Sequence, residues 1–177
     1  DTLLVDTGAG IGSNALFFAA AAQEVLVVTT PEPTALADAY AVIKVLCKRH
    51  RVERVGLVLN HTRDQAEARD VYFRLAELTS RFLPVVLEFV GFVPMDPHVP
   101  EAVKAQRPVV DLYPAAKASR AIAEIADAVL MRPAPAGASG RLQLFWEQLV
   151  HGVAPEASPD TGVEGDPETG TVAGVEV

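Results

Sequence analysis

Short apolar runs alternate with amphipathic stretches over residues 1–131. Leu3-Leu4-Val5, the first run, reads as a strand buried on both faces of a parallel sheet. Residues 12–22 read as a helix that Ser13 or Asn14 can cap and whose alanines allow close packing on the sheet. Glu24–Thr30 is a second buried strand. Pro31-Glu32-Pro33 stops it, and Thr34 is placed to cap a helix over about 35–49. On that helix Leu36, Ala39, Tyr40, Ile43, Leu46 and Cys47 fall on one face. Val55–Leu59 is a third strand and ends at Asn60. Thr62-Arg63-Asp64-Gln65 then reads as a capping box for a helix with the stripe Val71, Leu75, Leu78 and Phe82. Val85–Val93 is a fourth strand and ends at Pro94-Met95-Asp96-Pro97. A short helix to about Gln106 follows, then the extended turn Arg107–Pro114. A helix over about 115–131 turns Ala118, Ile122, Ile125 and Val129 inward. This alternation predicts an α/β fold with a doubly wound, mostly parallel sheet.

The pattern changes after Met131. Residues 132–140 are rich in Pro, Ala and Gly and read as a linker. Residues 141–152 read as an amphipathic helix, with Leu142, Phe145, Trp146, Leu149 and Val150 at i, i+3, i+4, i+7 and i+8. Its polar face (Arg141, Gln143, Glu147, Gln148, His151) has no cationic excess. Three uses stay open for it: docking on the body, binding a partner, or lying in a membrane interface. Residues 153–177 are acidic and poor in large apolar residues, which predicts disorder. At the other end, the chain opens at Asp1 inside what reads as a buried parallel strand, and such a strand needs neighbours on both sides. We therefore expect a sheet incomplete at its N-terminal side, the C-terminal part of a longer protein.

Length and charge narrow the picture. The 177 residues fit one domain, and half of them are hydrophobic, enough for a core. The net charge is −8, but residues 153–177 hold six acids and no Lys or Arg, leaving about −2 for the rest. A near-neutral body gives no electrostatic case for nucleic acid. The basic run Lys48–Arg51 ends a helix, where the macrodipole favours cations. One cysteine, Cys47, excludes an internal disulfide and a cysteine-cluster metal site; its place on the apolar stripe makes it a small core residue. No window reaches the ~20 apolar residues of a membrane span, and no signal peptide is visible. A cytoplasmic protein is the expectation.

The candidate chemistry sits at strand ends. Leu3–Val5 ends on Asp6, followed by Gly8, Gly10 and Gly12. A carboxylate before Gly-x-Gly suits a phosphate–Mg²⁺ site, with Asp6 holding Mg²⁺ through water and glycine amides facing a phosphate. The same turn also serves as a plain strand-to-helix connection. Asn60 ends the third strand, and Pro94 with Asp96 follows the fourth. All should lie on the carboxyl edge of one sheet, the ligand edge of such folds. Asp96 before Pro97 is equally a helix cap with proline in the first turn. His61 suits either stacking on a ring or plain exposure. His98 and His151 show no metal-ligand spacing.

This constellation resembles the MinD/ParA family of deviant P-loop ATPases, a P-loop NTPase fold, and within it the flagellar-number-regulator (FlhG-like) branch. The stretches that carry the resemblance are Leu3-Leu-Val-Asp6-Thr-Gly-Ala-Gly10, Glu24-Val-Leu-Val-Val-Thr-Thr-Pro-Glu-Pro-Thr-Ala-Leu-Ala-Asp-Ala-Tyr, the strand end at Asn60, and Gly91-Phe-Val-Pro94-Met-Asp96. It covers about residues 1–131. It implies that Asp6 is the Mg²⁺-associated acid and that Gly8 and Gly10 lie in the γ-phosphate switch turn. Asn60 would hydrogen-bond adenine, and Pro94–Asp96 would line the far side of the base. It further implies ATP and Mg²⁺ as cofactors and an ATP-dependent homodimer. The implied partner is a flagellar signal-recognition-type GTPase, and the implied location is peripheral on the inner face of the cell membrane through residues 141–151. His61 after Asn60 departs from the family's usual Asn-Arg pair. The family's Lys-Gly-Gly-x-Gly-Lys-[Ser/Thr] loop is not in this sequence, so the chain alone is expected to be inactive and ATP hydrolysis to belong to the parent. Two other readings are a ParA-like partition ATPase, which would need a basic DNA-binding surface, and a non-enzymatic, P-loop-less module that binds a partner through the Trp146 helix. If residues 141–151 bind membrane, Trp146→Glu in the ATP-bound parent abolishes co-sedimentation with anionic liposomes; unchanged co-sedimentation contradicts that role.

Overall fold

The computed structural model describes residues 2–7, 16, 18, 19 and 21–132. The elements run β1 (Leu26–Thr29), α1 (Pro33–His50), β2 (Arg54–Thr62), α2 (Gln65–Phe82), β3 (Val86–Pro94), α3 (His98–Lys104), α4 (Val109–Leu112) and α5 (Lys117–Leu130). The strands form one parallel sheet in the order β1-β2-β3, with Val28 opposite Val58 and Leu57 opposite Phe89. Parallel neighbours need crossovers, and α1 and α2 supply them. The expected α/β architecture is therefore present. Of the helix read over 12–22, Leu16, Phe18, Ala19 and Ala21 are helical. The linker, the amphipathic stretch and the acidic tail lie outside the described residues.

The core occupies one face of the sheet. Val27, Val55, Leu57, Leu59 and Leu87 point into it from the strands, Ile43 and Cys47 from α1, and Val71 and Leu75 from α2. Ile43, Leu46, Leu57 and Leu59 are fully buried. At about 1.5–3 kcal/mol for each such side chain, this face is the main source of stability. Cys47 is buried with them, as its place on the stripe requires. The opposite face is covered at β3 by α5. Gly91 makes that approach possible: a Cβ there would stand 2.5 Å from Ile125 Cγ1.

Several local readings change. Thr34 is not the cap of α1. Proline has no N–H to satisfy and its φ suits the first helical position, so the helix begins at Pro33 with Glu32 as the flanking residue. At the far end Arg51 adopts a left-handed conformation (φ 55°), its N–H bonded to Cys47 O at 3.2 Å, with Lys48, Arg49 and His50 in the last turn. The cap of α2 is Asp64, not Thr62. Asp64 Oδ1 accepts from Glu67 N at 2.9 Å, while the Glu67 carboxylate accepts from Arg63 N at 2.6 Å. Thr62 remains in the strand, fully buried. The inner stripe of α2 is Ala68, Val71, Leu75 and Thr79; Leu78 and Phe82 are exposed. Thr79 can be buried because its hydroxyl donates to Leu75 O at 2.9 Å. Ile122 of α5 is also exposed, and small residues (Ala118, Ser119, Ala121) make its buried contact instead.

The largest change concerns Leu3–Val5. These residues are not a strand, and Leu3 and Leu4 are 73% and 81% exposed. A strand exists only through its ladder, and β2 and β3 are already paired with each other. The outer edge of β1 has no partner among the described residues, and Leu3–Val5 does not occupy it.

The tight contact between Gly91 and Ile125 gives a test. Gly91→Ala should lower unfolding stability by about 1–3 kcal/mol, measured by urea denaturation, and the loss should be smaller in an Ile125→Ala background, which removes the Cγ1 atom that meets the new Cβ.

Candidate functional site

The carboxyl end of β2 is irregular, and the irregularity builds the site. Asn60 pairs with Val93 and Thr62 with Pro94, so His61 has no partner across the ladder. His61 takes the left-handed conformation (φ 59°), which costs a residue with a Cβ about 1–2 kcal/mol. Asn60 supports it: its Oδ1 accepts from the His61 N–H at 2.8 Å. A bulge of this kind re-aims consecutive side chains. Asn60 and His61 are both exposed and both line one cleft. The bond to His61 uses the oxygen of the Asn60 amide and leaves its NH₂ donors available.

The end of β3 is held by Asp96. Its side chain is 3% exposed, and its oxygens are fully engaged. Oδ1 accepts from His98 N at 3.0 Å and lies 2.7 Å from His98 Nδ1; Oδ2 accepts from Ala118 N at 3.1 Å. The backbone N–H of His98 and then that of Ala118 hold the carboxyl at about 2, below its usual 3.8, with the His98 ring adding to the effect and burial opposing it. Asp96 therefore joins the starts of α3 and α5 to the end of β3. Its carboxylate is not offered to a ligand.

Between these two ends lies a cleft of about 660 Å³. Val93, Pro94 and Met95 form its strand side; Pro97, Val99, Pro100 and Val103 form its helical side; Asn60, His61 and Lys104 supply the polar groups. Pro97 and Pro100 sit at the start of α3, where a missing amide leaves no bond unmade. A mostly apolar slot with one side-chain amide at its rim suits a flat heterocycle with polar edges. The residues present fit the base end of a nucleotide. The phosphate–Mg²⁺ end is different. Asp6 is exposed and is not among the cleft residues, and Gly8 and Gly10 lie outside the described residues. Among the described residues no group of three or more His, Cys, Asp or Glu could hold a metal.

Comparison with known proteins bears on the family. A family model described as ParA, NUBPL iron-transfer P-loop NTPase, matches residues 1–130. The chain belongs to the ParA/MinD family of P-loop NTPases. The antiactivator FleN of Pseudomonas aeruginosa is 43% identical over 150 residues, 85% of this chain and 54% of FleN. The flagellum site-determining protein YlxH of Helicobacter pylori is 36% identical over 94 residues, 52% of this chain and 31% of YlxH. These likenesses put the chain in the flagellar-regulator branch of the ParA/MinD family. The crystal structure of the cell division ATPase MinD of Pyrococcus furiosus superposes with a TM-score of 0.51 at 27% identity, covering 70% of this chain and 48% of MinD. The chain spans about half the length of FleN. No described helix of this ParA/MinD protein is long and apolar enough to cross a membrane.

Asn60, Pro94 and Asp96, picked out as strand-end residues, share the cleft. The stretch Leu142–Val150 lies outside the described residues. Sequence reasoning missed the helical side of the cleft, Val99, Pro100, Val103 and Lys104, and the part played by His98. The signal available was the paired prolines Pro97 and Pro100, which mark a helix start fixed against a turn. It also missed Thr30, whose hydroxyl at the end of β1 is buried with no hydrogen-bond partner among the described residues.

The Asp96 arrangement predicts an acid limb of stability. Its folded pKa lies below the unfolded value, so its contribution is complete above pH 3.8 and is lost as pH falls toward about 2. Asp96→Asn should be less stable at pH 7 and lose less between pH 4 and 2 than the parent, in denaturant midpoints measured across that range.

Proposed function

We propose that this chain supplies the base-binding part of an ATP-binding, ATP-hydrolysing MinD/ParA-type protein that controls the number or placement of flagella. The observation that carries this reading is the apolar cleft beyond β2 and β3 with the Asn60 amide at its rim. In open α/β sheets ligands bind at this edge. The NH₂ of Asn60 would donate to a ring nitrogen of adenine, and Pro94 and Val99 would cover the faces of the ring. ATP supplies the transferable phosphoryl group when bound. Within this reading, Asp6 would hold Mg²⁺ through water, and Gly8 and Gly10 would face the γ-phosphate. The sequence contains no Lys-Gly-Gly-x-Gly-Lys segment, so phosphoryl transfer falls to residues outside it and this chain by itself would be inactive. The parent would act as an ATP-dependent homodimer, with a signal-recognition-type GTPase as its flagellar partner, peripheral at the membrane.

The name of YlxH, a flagellum site-determining protein, supports the flagellar assignment, and that of MinD, a cell division ATPase, supports the ATPase assignment. Iron transfer, part of the family model's description, has little support in this chain: Cys47 is its one cysteine and is buried in the core. The partition reading needs a basic DNA-binding surface, and the near-neutral net charge of residues 1–152 gives it no support.

Asn60→Ala in the full-length protein should weaken ATP binding about five- to ten-fold, the equivalent of one hydrogen bond, and raise the number of cells with abnormal flagellar counts. Unchanged ATP affinity by equilibrium titration would contradict the reading.

A further inference from the structure

The helical side of the cleft is weakly anchored. α3 has seven residues, of which Ala102 alone is buried, and it packs chiefly against α4 rather than the sheet. Val103, which faces the cleft, is 70% exposed. The position of this wall therefore depends on few contacts. Asp96 fixes its first residue. A second tie lies along its flank, and Tyr113 makes it.

The Tyr113 ring lies against the His98 ring, with centroids 4.6 Å apart and planes tilted by 48°. Its hydroxyl donates to Glu101 Oε2 at 3.1 Å. His98 and Glu101 are three residues apart and so share one side of the helix. Tyr113 is itself fixed from behind. Its carbonyl accepts from Ser119 Oγ at 2.7 Å and from Ala116 N at 3.0 Å, and its N–H donates to Val109 O at 2.8 Å. Ser119 is buried on α5, and α5 packs on β3. A continuous path thus runs from β3 through α5, Ser119 and Tyr113 to α3. Tyr113 does not line the cleft.

We propose that Tyr113 is a positioning residue for base recognition: by stacking on His98 and bonding to Glu101 it sets the distance between α3 and the strand side of the cleft, and so the affinity for the nucleoside end of the ligand, without touching it. This rests on the base-cleft reading above. Because the phosphates lie elsewhere in that reading, the effect is confined to ligands that carry a base. Loss of fold or of phosphate contacts would not discriminate in this way.

The test is a set of equilibrium titrations on the full-length protein with two ligands, ATP and inorganic tripolyphosphate. Tyr113→Phe removes only the hydrogen bond, and Glu101→Ala removes it together with the exposed carboxylate that accepts it; neither change should prevent folding. Each is expected to weaken ATP binding about three-fold, and the double variant about as much as either single one, because both remove the same contact. Tyr113→Ala, which also removes the ring, is expected to weaken ATP about ten-fold. Tripolyphosphate affinity stays unchanged throughout. The proposal is overturned if Tyr113→Phe, Glu101→Ala and Tyr113→Ala all bind ATP like the parent while Asn60→Ala binds it more weakly. It is also overturned if ATP and tripolyphosphate weaken together, which marks a general structural loss. If Asn60→Ala itself binds ATP normally, the base-cleft reading falls and this proposal falls with it.

Discussion

The site depends on a carboxylate buried at the end of a strand. Asp96 is placed where α3, α5 and β3 meet, and a buried carboxylate is tolerated only when hydrogen bonds satisfy it. Three donors do so: the His98 N–H, the His98 ring and the Ala118 N–H. Because the donors come from the starts of two helices, satisfying one charge fixes the relative placement of three elements. The cleft wall is a consequence. Pro97, Val99, Pro100 and Val103 face Val93 and Pro94 because α3 must begin where Asp96 can reach it.

The opposite wall follows from a different constraint. β2 ends in a bulge, which places Asn60 and His61 together at the cleft rather than on opposite sides of a regular strand. His61 takes an unfavourable backbone conformation there, and Asn60 stabilises it through its own side chain. Backbone strain at a ligand edge is the kind that a functional site retains. The polar rim and the apolar slot thus arise from two local devices at two adjacent strand ends, both built on the same parallel sheet.

Much of this was legible in the sequence. Runs such as Leu26–Thr29 and Val55–Leu59 give strands because β-branched and large apolar residues suit a sheet buried on one or both faces, and their alternation with amphipathic helices gives the parallel order. Asn60, Pro94 and Asp96 were recognisable as polar or helix-breaking residues at strand ends. Other features were hidden for physical reasons. Leu3–Val5 has the composition of a strand, but composition supplies no partner. Leu78 and Phe82 suit an inner stripe, yet Ala68 and Thr79 take those places because close packing against the sheet favours small side chains. The cap of α2 moved by two residues because Asp64 and Glu67 satisfy more donors than Thr62 could. The role of His98 was only partly visible: Asp96 is two residues away and was readable as a local cap, but Tyr113 meets the His98 ring only in three dimensions.

The central claim is that the cleft beyond β2 and β3 receives the base of an adenine nucleotide. The most direct measurement is a nuclear magnetic resonance titration of the isotope-labelled full-length protein with ATP, following the Asn60 side-chain amide and the methyl groups of Val93, Val99 and Val103. The account predicts saturable shifts at all four, and their recurrence with adenosine alone. Shifts with ATP that spare these residues would contradict it and place the nucleotide elsewhere.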